Sequence, residues 1–141
     1  YTNHVKALLP TATEVTAMRA DAETVLQSAE SFSALRAASL VGIGGTFKGA
    51  SALYNAMFQK SAANTHLEAE KLEEMIRYFS PAGALTEKTT ILLMKNVPER
   101  MHTVIPGLVI ADVLANHFHA QEITYSDSGV REGYIYAEIM K

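Results

Sequence analysis

The chain has 141 residues, 48% hydrophobic and 19% charged, which gives an ordinary globular domain enough material for one core. A net charge of -3 offers no basic surplus, so nucleic acid is not an expected partner, although local cations can still serve a small polyanion. The absence of cysteine excludes disulfides and thiolate metal sites and fits a reducing, cytoplasmic setting. No apolar run approaches the ~20 residues that span a bilayer, so no membrane partner is expected.

The opening Tyr1-Thr2-Asn3-His4-Val5-Lys6 is not a signal peptide and lacks an initiator Met, which suggests a chain processed or cut from something longer. Ala12 to Leu35 reads as one long helix, with Val15, Met18, Ala22, Val25 and Leu26 at helical spacing. Ala38–Ile43 is a short apolar run ending in glycines, which suits a buried parallel strand. Gly44-Gly45-Thr46 then turns the chain into a helix expected over Phe47–Phe58.

Thr65 and Glu68 have capping-box spacing and mark the start of a helix. Its Leu67, Leu72, Met75, Ile76 and Phe79 form one apolar stripe, and Ser80-Pro81 stops it. Thr86–Lys95 is a further helix, and Pro98 suits a first helical position before Glu99-Arg100. Thr103–Phe118 is apolar on nearly every side, the pattern of a buried helix in which Pro106 lies in the first turn or makes a kink. Glu122–Ser126 is a second strand, and Ser128–Met140 a last helix capped by Asp127 or Ser128.

Two strands among about five helices make an α/β pattern, and a two-stranded sheet is marginal alone. Both strands read as interior ones. The short parallel sheet is therefore incomplete in this chain, and its missing strands belong elsewhere.

A strand, a glycine pair and a helix are the arrangement that binds anions. Glycines let a ligand approach the backbone, and the free N–H groups of a helix's first turn point at it. Gly44 and Gly45 supply the backbone, Thr46 a hydroxyl donor and Lys48 an ammonium one turn into the helix. A structural tight turn is the competing reading, and the loop matches neither a Walker loop nor a GxGxxG fingerprint.

Read in order, three segments carry a resemblance. Val41-Gly42-Ile43-Gly44-Gly45-Thr46 resembles the glycine-rich loop of the exopolyphosphatase/guanosine pentaphosphatase family. Glu99-Arg100 with Val104-Ile105-Pro106-Gly107-Leu108 is similar to its Glu-Arg…Pro-Gly-Gly/Leu helix. Ser126-Asp127-Ser128-Gly129-Val130-Arg131-Glu132-Gly133 resembles its terminal Ser-Asp-x-Gly-Leu-Arg-Glu-Gly.

The resemblance implies a ribonuclease H-like lobe of the actin/Hsp70 type, with residues 1–141 forming the second lobe without its first strands. It implies a hydrolase that removes terminal phosphates from inorganic polyphosphate or guanosine pentaphosphate, usually with Mg2+. Gly44, Gly45 and Thr46 would hold phosphate, and Lys48 matches a Gly-Thr-x-Lys variant of some exopolyphosphatases. Arg100 and Arg131 sit at matching family positions as phosphate contacts. The catalytic glutamate and the Asp-x-Gly-Gly-Gly-Ser-type loop belong to the missing upstream part, so no metal or catalytic residue is expected in this chain, and alone it should not turn over substrate.

A non-catalytic nucleotide- or polyphosphate-binding module, or a dimerisation lobe, is the alternative. His117-x-His119 is read as a solvated helix end rather than a metal pair, and Tyr54, Tyr125, Tyr134 and Tyr136 as packing residues.

Overall fold

The computed structural model describes residues 5–29, 35–80 and 86–139. Helix α1 covers Ala12–Ser28, opened by a Thr11–Glu14 capping box. Its end falls short of Leu35: Leu35–Ala37 are not helical, and the expectation for residues 30–34 lies outside the described residues. The reason lies in the last turns. Val25 is 67% exposed, so no apolar stripe extends the helix, and the Ser28 hydroxyl donates to the Val25 carbonyl at 2.7 Å.

Strand β1 (Ser39–Ile43) leads through Gly44 into α2 (Gly45–Met57). A short strand β2 (His66–Glu68) precedes α3 (Ala69–Phe79). Helix α4 (Glu87–Asn96) follows, opened by its own capping box at Thr86, and a single 3-10 turn covers Pro98–Arg100. Then come α5 (Val104–Phe118) and β3 (Glu122–Ser126). A short α6 (Val130–Tyr134) continues as a π-turn over Ile135–Ile139. Pro106 lies in the first turn of α5, where its missing N–H costs nothing.

The sheet corrects the expectation of two parallel strands. Its order is β1-β3-β2, with β1 parallel and β2 antiparallel to β3. Residues 66–68 pair as a strand where a helix start was expected. Leu67, 1% exposed, lies opposite Ile123 and buries against it, so sheet pairing outweighs the local capping pattern. Glu68 is the N-cap of α3 but makes no side-chain cap bond. Its carboxylate instead accepts from the Tyr54 hydroxyl at 2.9 Å and the Lys60 ammonium at 3.3 Å. The Tyr54 bond comes first and the Lys60 ammonium next in holding that carboxyl below the usual range.

The register places Leu40 and Leu67 opposite Ile123 on one face of the sheet, which packs on the core. The opposite face of β1 carries Val41 and Ile43, which are exposed.

Helix α5 is the centre of the molecule and packs against α1, α2 and α3. Its Val104, Ile105, Leu108 and Val109 are buried with Leu72, Met75, Ile76 and Phe79 of α3 and Leu53 and Tyr54 of α2. One acid, Asp112, is buried on α5. Arg19 of α1 pairs with it and with Glu73 of α3, so one guanidinium ties three helices together.

The last helix departs from expectation in its cap. Gly129 is the N-cap, its N–H donating to the Glu132 carboxylate at 2.6 Å, and neither Asp127 nor Ser128 fills that role. Tyr134 and Tyr136 are 64% and 70% exposed, so only Tyr54 and Tyr125 among the four named tyrosines pack against the core. No helix among the described residues is long and apolar enough to cross a membrane.

Candidate anion-binding loop

Gly44 has φ 88° and ψ 177°, a backbone region that side chains make nearly inaccessible. That conformation lets β1 break off abruptly and α2 begin at once. The helix therefore starts at Gly45 rather than Phe47, and Gly45 and Thr46 belong to its first turn. The Lys48 N–H closes that turn on the Gly44 carbonyl at 3.1 Å. The amides of Gly45, Thr46 and Phe47 precede this bond, and Gly44 has no side chain to cap them. Among the described residues none of the three meets an acceptor. Gly44 is exposed and Gly45 and Thr46 are half-buried, so the loop is not sealed inside the molecule.

Two close approaches shape the loop. The Arg100 guanidinium lies where a Cβ on Gly45 would stand, so a side chain there would have to push it off the loop. The Thr46 Cγ2 methyl fills the space above Gly107 in the same way. The first contact brings the 3-10 turn Pro98–Arg100 onto the loop, and the second seats the loop on α5. Arg100 makes no ion pair with Glu99 or Glu132 or with any other acid among the described residues. Beside the loop a groove of about 210 Å³ is lined by Gly45, Lys48, Asn96, Val97 and Arg100 among others.

Lys48 stands over the same region, with its ammonium 3.9 Å from Asp127 Oδ1 at the end of β3. That oxygen accepts the Tyr125 hydroxyl at 2.5 Å. This hydrogen bond, then desolvation, then the Asp127 charge push the Tyr125 phenol up to about 12.

The structure thus brings together Gly44, Gly45, Thr46, Lys48 and Arg100, five of the six residues singled out from sequence. Arg131 is not joined to them. It lies on exposed α6, and no hydrogen bond or ion pair among the described residues links it to the loop.

Sequence reasoning missed Gly107, Tyr125 and Asp127 as neighbours of the loop. A glycine inside a buried apolar helix, where it costs about 1 kcal/mol against alanine, was the available signal for Gly107. No local pattern announces the other two, because strand pairing brings Gly42 opposite Tyr125 and so carries Asp127 toward α2.

His117 and His119 do not converge with a third ligand, and among the described residues no group of at least three His, Asp or Glu side chains is arranged to hold a metal. His119 takes the left-handed C-cap conformation of α5 at φ 56°, and the His117 ring stacks edge-on against Phe118.

An uncapped helix start directly after a parallel strand, in a helix-rich lobe on a small mixed sheet, is the arrangement of an actin-like lobe. Comparison with known proteins gives the family. The model of the Ppx/GppA phosphatase family matches residues 2–141, and the chain belongs to that family. Over 74 residues it is 34% identical to the "Putative exopolyphosphatase" of Haemophilus influenzae, a match covering 52% of this chain and 22% of that protein.

The crystal structure of the Aquifex aeolicus member of the family superposes with a TM-score of 0.74 at 19% identity, covering 99% of this chain and 44% of that one. The type II variant of the Aquifex aeolicus phosphatase gives the same TM-score and identity over 98% of this chain and 45% of that one. The chain therefore spans less than half the length of these solved relatives.

Proposed function

We propose that this chain is the phosphate-holding lobe of a hydrolase that removes terminal phosphates from inorganic polyphosphate or guanosine pentaphosphate. The observation that carries the reading is Arg100. A cation is disfavoured at a helix N-terminus, yet its guanidinium lies on Gly45 without a carboxylate partner among the described residues. A bound phosphate would resolve both problems, accepting from the guanidinium and from the free amides at once.

In this reading the loop grips phosphates that are not transferred. Water attacks the terminal phosphorus in line, the bridging P–O bond breaks, and orthophosphate leaves with a shortened chain. Positioning and charge stabilisation supply most of the rate. The groups that activate the water would come from the remainder of a protein of the relatives' length. Magnesium is expected for that whole protein. Among the described residues no group of three His, Asp or Glu side chains is arranged to hold it. Arg131 stays a proposed contact that only a closed, complete protein would bring to the chain of phosphates.

Phosphate release from polyphosphate by the protein at its relatives' length tests the reading. Thr46→Ala, Lys48→Ala and Arg100→Ala should each slow it, Arg100→Ala by about tenfold or more for the loss of a charged hydrogen bond. The 141-residue chain alone should release none. Full rate in all three variants would overturn the assignment of the loop.

A further inference from the structure

The rim of the loop carries a negative charge that an anion site would not be expected to keep. Asp127 Oδ1 is 3.9 Å from the Lys48 ammonium, and both side chains are exposed, at 84% and 70%. The same oxygen accepts the Tyr125 hydroxyl at 2.5 Å. Lys48 is thus already partnered in the free chain, whereas Arg100 is not. An incoming polyanion meets a carboxylate that repels it and that holds one of its two cations.

We propose that Asp127 is the resident counter-ion of Lys48, displaced when a chain of phosphates binds, and that it holds the loop's affinity down so that product can leave. The proposal rests on the reading that the Gly44–Thr46 loop holds phosphate. The exchange is physically easy. An exposed ion pair contributes little, so Lys48 can change partners at small cost. The Tyr125 hydroxyl keeps the released carboxylate supplied with a donor, so the displaced charge is not stranded. A site that must release a product gains from such a competitor, since tight uniform binding slows departure without speeding chemistry.

Titration of the 141-residue chain with tripolyphosphate at low ionic strength tests this. Asp127→Asn should bind about threefold more tightly than wild type, the factor expected when one exposed charge interaction is removed. Asp127→Glu should restore wild-type affinity, and the gain from Asp127→Asn should vanish in a Lys48→Ala background. Equal or weaker binding by Asp127→Asn, or a gain that survives without Lys48, overturns the counter-ion role and leaves the phosphate reading intact. Absence of tripolyphosphate binding by wild type and every variant overturns the phosphate reading and this proposal with it. Urea denaturation of Asp127→Asn alongside wild type separates an affinity change from a folding change.

Discussion

The Cγ2 methyl of Thr46 occupies the space in which a Cβ on Gly107 would stand. A β-branched side chain has few staggered choices, and pinning its methyl on α5 fixes where its hydroxyl goes. No hydrogen bond to protein takes that hydroxyl among the described residues. A residue of the loop and a residue of the central helix therefore share one contact that orients a free donor at the start of α2.

Gly107→Ala should push Thr46 off α5. Overpacking costs about 2 kcal/mol, and the gain in helix propensity returns about 1 kcal/mol, so a net loss near 1 kcal/mol is expected in urea denaturation. Tripolyphosphate binding should fall more than stability does, because the displaced residue is in the loop. Adding Thr46→Ser removes the obstructing methyl and should recover the stability.

Thr46 itself separates packing from binding. Thr46→Val keeps a methyl on Gly107 and deletes the hydroxyl, so stability should hold while tripolyphosphate affinity drops by about fivefold, the worth of one ordinary hydrogen bond. Thr46→Ser keeps the hydroxyl and loses the anchor. Binding that is equally unaffected by both substitutions would show that the hydroxyl touches no phosphate.

The loop was legible in sequence because its parts are local. Glycines, a hydroxyl and a lysine within five positions announce a strand-to-helix turn whatever the rest of the chain does. The same holds for the stripe of Leu72, Met75, Ile76 and Phe79, all buried as the spacing demands. Strand β2 was not legible, since three residues carry no period and Thr65 with Glu68 imitates a helix start. Only the distant Ile123 makes Leu67 a strand residue. Likewise Ala38–Ile43 reads as a strand covered on both faces, whereas Val41 is 69% exposed in this chain.

Asp112 was equally silent in the sequence, one acid in an apolar helix, and its partner lies 93 positions away at Arg19. Arg19→Met would leave that acid buried and unpaired, for a loss of about 3 kcal/mol. Arg19→Met combined with Asp112→Leu should be more stable than Arg19→Met alone, because the stranded charge is gone. Thermal or urea unfolding of the single and double variants reads the difference. A double variant that is less stable than the single would mean that the ionic tie does more than neutralise Asp112.

Tyr125 reports on the Asp127 contact without any ligand. Its phenol is raised from 10.0 to about 12, with the hydrogen bond to Asp127 the largest cause. A raised acid favours its protonated form, so the contact contributes stability in full below the unfolded value of 10.0 and loses it as pH rises toward about 12. In alkaline titration followed by tyrosinate absorbance, Tyr125 should ionise late together with Tyr54, whose phenol is raised first by burial and then by its bond to Glu68. Tyr125→Phe should remove one tyrosinate equivalent from the late phase. Asp127→Asn removes the charge and the stronger acceptor, so the Tyr125 contribution should move back toward the usual phenol range near ~10 while that of Tyr54 stays late. A Tyr125 step that stays late in Asp127→Asn, assigned by adding Tyr125→Phe to that variant, would mean that desolvation, the second cause, holds the proton instead, and the carboxylate would then be free to turn fully toward Lys48.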